Sequence, residues 1–238
     1  MEKSKFIYLP QFWTEERNLT WLLVALILDT FILDLLVGVL NRGLVVEVII
    51  NSLAFSVILL LGLLTLTRHK VIQIIFAGIT VLIISVRFAR LVFGEKWLLV
   101  WDILLSMMSL ITFVIVLLIN VFQERPVTEH RIRGAVAAYL LIAIIFALGY
   151  LLIDFLIPGA FNFQDNVLRV GDIQLVRTFY YFSISTITTL GYGDITPVHP
   201  FAQKLAMMEA LIGQLYPATL IARLVTLQRT TERADKDN

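Results

Sequence analysis

Several ionisable side chains lie inside otherwise apolar stretches of this 238-residue chain: Asp29, Asp34, Glu47, Arg87, Arg90, Asp102 and Glu209. A charge in such surroundings is expensive unless it is paired. The chemistry these residues imply is therefore pairing rather than catalysis. Counted inward by helical rise, Asp34, Glu47, Arg87, Arg90 and Asp102 all fall in the outer halves of four different stretches. This predicts a buried ion-pair cluster that holds a bundle together, with a residual sensor of voltage or pH as the alternative. Arg90 and Asp102 flank the same short loop and are the expected closest pair. Asp29 sits deeper, where it is protonated, hydrogen-bonded to Asn51 or proton-sensing. Glu209 is expected to bond behind a short helix, to Ser185 or Thr188. The chain has no cysteine, which excludes disulfides and thiolate metal sites.

The composition says what positions these groups. The chain is 59% hydrophobic and only 16% charged, with a mean hydropathy of +0.88. A soluble domain is nearer 45–50% apolar and about 25% charged, so a soluble enzyme and a disordered protein are both excluded. The net charge of +1 gives no sign of nucleic-acid binding. Six stretches are long enough to cross a bilayer as helices: Trp21–Leu40, Leu44–Leu66, Val71–Phe93, Trp97–Phe122, Gly134–Ile157 and Phe201–Leu227. The first is too long for a signal-peptide core and is expected to remain. With the N-terminus inside, twelve basic residues fall on the cytoplasmic side and five outside, so both termini are expected in the cytoplasm.

Tight loops join the first four spans, and the polar stretch Gln123–Arg133 precedes the fifth. The expected organisation is an interfacial N-terminal segment (1–20), a four-helix unit (21–122), a cytoplasmic linker (123–133), a two-helix unit (134–228) and a short cytoplasmic tail (229–238). Within the second unit, the run Leu175–Ile187 is apolar and hydroxyl-rich apart from Arg177. Thirteen residues of helix rise about 20 Å, short of a crossing. The run should enter as a half-helix and return as the extended segment Thr188-Thr189-Leu190-Gly191-Tyr192-Gly193-Asp194. Irregular backbone at membrane depth is tolerated only against protein or water, so a pore or cavity is implied.

Thr-Leu-Gly-Tyr-Gly-Asp resembles the signature of the potassium channel superfamily, usually Thr-Val-Gly-Tyr-Gly. The resemblance is motif-grade over Gly134–Gln228 and architectural over the first half, which is similar to voltage-gated channels. It implies an all-α integral membrane fold: six transmembrane helices, a re-entrant pore helix and an extended selectivity filter in a homotetramer. It implies that carbonyls of Thr189, Leu190, Gly191, Tyr192 and Gly193 face K+, with the Thr189 hydroxyl at the inner mouth. Successive carbonyls share one side only if alternate residues are left-handed, and Gly191 and Gly193 supply that freedom. Asp194, Tyr181 and Ser185 would support the filter, Tyr181 by bonding Asp194. Gly213 and Pro217 would form a hinge in the last helix, with packing as the plainer reading. Thr188, Gln214, Pro217 and Ile221 would face the cavity or inner mouth.

The departures from the pattern are specific. Leu190 stands where valine is usual, Tyr181 and Phe182 where many relatives carry tryptophans, and Ser185 where some carry glutamate. Trp97–Phe122 has no Arg or Lys, whereas a voltage sensor carries arginine at every third position of its fourth span. One charge moved through 100 mV supplies about 2.3 kcal/mol, so strong voltage gating is not expected. The reading is a passive K+ channel with no cofactor and no chemical step, in a prokaryotic inner (plasma) membrane. A non-selective cation channel, a potassium-coupled transporter and a non-conducting scaffold are the competing readings.

Overall fold

The structure is a computed structural model that describes residues 20–28, 32, 55–58, 70–122, 129–164 and 172–236. In chain order its elements are α1 (Lys70–Phe93), α2 (Lys96–Val121), α3 (Glu129–Leu156), β1 (Phe161–Phe163), α4 (Asp172–Ile187), β2 (Ile195–Pro197) and α5 (Pro200–Lys236). Residues 20–27 and 55–58 are also helical. Asp29, Asp34, Glu47 and Asn51, and most of the first two expected spans, lie outside the described residues.

Gly94 ends α1 with φ at +66°, a left-handed turn that glycine adopts without a steric penalty. Its N–H closes on the Arg90 carbonyl at 2.9 Å, and α2 turns back against α1. Along α2 the buried residues Leu99, Ile103, Ser106, Leu110, Phe113, Leu117 and Val121 recur at steps of three and four, so they share one helix face. Helix α2 packs against both α1 and α3, and α3 also carries α4 and α5. Helix α3 begins at Glu129, inside the segment expected to be linker, and α5 runs on to Lys236, well into the expected tail. The helix runs through Gly134 at the first of these boundaries without a break, and no proline or glycine stands at the second.

Among the described residues, three helical segments are long and apolar enough to cross a membrane: Lys96–Val121, Arg131–Leu156 and Pro200–Arg223. The protein is an all-α membrane protein. Helix α4 has 16 residues, roughly 24 Å of rise, too short to cross. A small antiparallel pairing joins its two flanks, with Phe161 opposite Pro197, Asn162 opposite Thr196 and Phe163 opposite Ile195. Beneath it lies an aromatic nest. Tyr150 and Phe161 meet Phe182 edge-on at 4.9 and 5.7 Å, and Phe161 meets Phe179 at 4.8 Å. Edge-to-face rings at these spacings add about 0.5–1.5 kcal/mol per pair beyond burial. The nest fixes α4 to α3.

Candidate functional site

The carboxyl end of α4 sets the site. The Leu190 N–H reaches the Ser185 carbonyl at 2.9 Å, and the Thr189 N–H reaches that of Thr186 at 2.9 Å. These two bonds, six-to-one and five-to-two, define a Schellman cap whose left-handed position is Thr189. Glycine normally occupies that position. Thr189 has φ of +58°, the one non-glycine residue with positive φ among those described, and β-branching makes it a genuine outlier. Gly191 and Gly193 follow at +60° and +80°. Left-handed geometry thus alternates at 189, 191 and 193. The freedom of the two glycines is legible in the sequence; the left-handed φ of Thr189 is not, although Thr189 stands two positions before Gly191 in the same alternation.

Residues 188–194 are all exposed on the single chain. Among the described residues, the carbonyls of Thr189, Leu190, Gly191, Tyr192 and Gly193 accept no hydrogen bond. The segment therefore presents consecutive main-chain oxygens without donors. Such oxygens can replace the hydration shell of a cation.

Both flanks of the segment are held. On the side of β2, the Tyr181 hydroxyl donates to Asp194 at 2.8 Å, and the rings of Tyr181 and Tyr192 stack at 6.0 Å, 7° from parallel. The Gln164 N–H donates to the Asp194 carbonyl at 3.0 Å. Midway, the Gly191 N–H donates to Ser185 Oγ at 3.1 Å. On the α5 side, Gln214 Nε2 donates to Thr189 Oγ1 at 3.0 Å. Thr188 lies at the start of the segment, its hydroxyl turned back to the Ile184 carbonyl. Ile221 is exposed two turns beyond Gln214, and none of the contacts described above joins it to the segment.

Helix α5 passes unbroken through Gly213 and Pro217. A methyl group built on Gly213 would collide with the Ile187 carbonyl. That same carbonyl accepts the Tyr139 hydroxyl at 3.0 Å. Tyr139 stacks on Tyr216 at 5.8 Å, and the Tyr216 hydroxyl is anchored on the Ala135 carbonyl at 2.9 Å. What the geometry displays at Gly213 is close helix packing. Pro217 has no N–H, which leaves the Gly213 carbonyl without its helical donor.

Glu209 is completely buried. Its carboxyl meets the hydroxyl of Ser183 and that of Tyr150, the latter at 2.5 Å. The expected partners, Ser185 and Thr188, are not the ones used. Glu209 lies one turn before Gly213, so it meets the residue one turn before Ile187, which is Ser183.

In the other half, Asp102 accepts from Arg87 Nε at 2.8 Å, while Arg90 Nη1 stands 3.8 Å away. Arg87, not Arg90, is the close partner. Its guanidinium also reaches Ser106 at 3.3 Å and covers the Phe55 ring at 4.3 Å, a cation–π contact. Asp34 and Glu47, the other expected members, lie outside the described residues.

Residues 138–229, which hold the α4 cap, the exposed segment and most of α5, match the family model described as "Ion channel". Over that region the resemblance is to a channel and not to an enzyme. The chain is 30% identical over 87 residues to Protein LctB of Bacillus caldotenax, covering 37% of this chain and 64% of that protein. It is 35% identical over 77 residues to the inward rectifier potassium channel Kirbac3.1 of Paramagnetospirillum magnetotacticum, covering 32% and 22%. With the human potassium channel subfamily K member 17 it shares 30% over 90 residues, covering 38% and 21%. The chain spans less than two thirds of each of these relatives. No solved structure matches. Through this carboxyl-terminal region, the chain is similar to ion channels, potassium channels among them.

Proposed function

We propose that the chain is the subunit of a potassium-selective channel that works as a homotetramer in the cell membrane. Six helices cross the bilayer with both termini cytoplasmic, and α4 enters from outside as a pore helix. Residues 134–228 form the pore unit and residues 21–122 a sensor-shaped scaffold. The carbonyls of Thr189, Leu190, Gly191 and Tyr192 hold K+, and Gly193 completes the strand. Asp194, Tyr181 and Ser185 brace it. Thr188, Gln214 and Ile221 line the inner cavity, with Pro217 as the point where α5 bends and Gly213 as its close contact with the end of α4.

The observation that carries this reading is the alternation of left-handed residues at 189, 191 and 193 along a segment whose carbonyls take no internal hydrogen bond. One strand cannot surround an ion. Exposure of Leu190 and Tyr192 at 57% and 66% on one chain supports burial against further copies around an axis. The choice of K+ follows two relatives that are potassium channels by name. Conduction is passive, ions displacing one another between adjacent carbonyl sites. Both arginines of α1 are engaged by Asp102, which argues against strong voltage gating.

Reversal potentials under K+ and Na+ gradients, with purified protein in planar bilayers, test the proposal. K+ preference is expected in the wild type. Gly191→Ala forces alanine to φ of +60° and should abolish that preference. Equal passage of Na+ in the wild type would indicate a non-selective cation channel, and a transporting monomer would indicate a transporter. Selective K+ current that survives Gly191→Ala unchanged would overturn the filter assignment.

A further inference from the structure

Three hydrogen-bonded contacts meet around Glu209. Ser183 Oγ lies 2.7 Å from the Ala143 carbonyl and also meets Glu209 Oε1. A hydroxyl has one proton to give, and a carbonyl can only accept. Glu209 Oε2 is occupied by the Tyr150 hydroxyl. If Glu209 were ionised, Ser183 would have to serve two acceptors with one proton, leaving one oxygen pair in close contact with nothing between. One assignment satisfies every atom: Ser183 donates to Ala143, Tyr150 donates to Oε2, and Oε1 itself carries a proton that it gives to Ser183.

The surroundings agree with that assignment. Glu209, Ser183 and Tyr150 are buried in the packing of α3, α4 and α5. Among the described residues no cation pairs with Glu209; both described salt bridges end on Asp102. The titratable groups that face it are Tyr150 and, farther off, Tyr139, both on α3. Among the described residues it meets only the Ser183 hydroxyl from α4, and no second charged group on α5 or α2 acts on it. An isolated carboxylate in such a place would be far more costly than the neutral acid.

We propose that Glu209 is held as a neutral carboxylic acid, and that its proton is the ligand that joins α5 to the back of α4 and, through Ala143, to α3. Loss of the proton leaves a bare charge behind α4, and Ser183 must abandon either Ala143 or Glu209. The seat of the exposed segment 188–194 then loosens. That last consequence for conduction rests on the channel reading; the protonation state does not.

Infrared spectroscopy of the full-length protein in lipid vesicles, taken as a pH series and differenced against Glu209→Gln, reads the proton directly. A protonated-carboxyl stretching band assigned to Glu209 is expected at neutral pH and should vanish in alkali. K+ flux from the same vesicles should fall at least tenfold over the pH range in which the band is lost. In Glu209→Gln, whose amide can still donate to Ser183, that fall should be absent. Carboxylate bands for Glu209 at neutral pH, with K+ flux present, would overturn the proton site and leave the channel standing. A band that titrates as expected in vesicles that pass no K+ would uphold the site and overturn the channel reading instead. Equal alkaline loss of flux in wild type and Glu209→Gln would overturn the link between the proton and conduction.

Discussion

Replacing Gly213 by alanine separates a contact from a hinge. The new methyl group would meet the carbonyl carbon of Ile187 at 2.8 Å and its oxygen closer still, so α5 and the end of α4 must part by roughly 1.5 Å to restore ordinary contact. Overpacking of this kind costs about 1–3 kcal/mol. The shift also pulls Ile187 from the Tyr139 hydroxyl, now at 3.0 Å, a bond with a net contribution of about 1 kcal/mol. The expected total is about 2–4 kcal/mol per subunit. Stability of the detergent-solubilised oligomer against heat and denaturant is the assay, with Gly213→Ala, Tyr139→Phe and the pair together. Because both changes act on one carbonyl, their effects should be sub-additive. A Gly213→Ala protein as stable as the wild type, or strict additivity with Tyr139→Phe, would refute the reasoning and return Gly213 to the role of a free hinge.

Two further expectations follow from described contacts. Tyr181→Phe removes the 2.8 Å bond to Asp194; the site is exposed on one chain, so the cost should be about 1 kcal/mol, seen as faster decay of K+ current under sustained activation with little change in thermal stability. Asp102→Ala strips the shared partner from Arg87 and Arg90 and should cost about 3 kcal/mol or more by leaving charges unpaired, read as a lowered melting temperature, whereas Arg90→Gln should cost much less.

The exposed segment was legible because its conformation is written in residue types. Two glycines one residue apart, after a run too short to cross, leave few other uses for the backbone. Thr189 escaped because its left-handed φ is imposed by the cap and not by any preference of threonine. The Asp102 cluster shows a second limit. Arg90 and Asp102 were paired because they flank one loop, but depth decides: Arg87 stands seven residues before Gly94 and Asp102 eight after it, so equal helical rise brings those two level. Arg90, only four before, remains too near the loop. Glu209 was legible as an anomaly, a carboxyl inside an apolar run, while its partners depended on the offset between α4 and α5. That offset is 26 residues for Ser183 and Glu209, and the same for Ile187 and Gly213. Tyr139 and Tyr150 gave no sign at all, since a tyrosine in a membrane helix reads as one more apolar ring until its hydroxyl finds a mate.

The pairing of β1 with β2 has a consequence for how such a protein can change over time. Phe163 sits opposite Ile195, so the chain departs and returns at a single place, and everything from Gln164 to Asp194 is an excursion from one closed clip. The two long helices on either side are tied by the clip as well as by α4 packed against both. A chain arranged in this way can lengthen the stretch that leads into α4 without respacing α3 and α5.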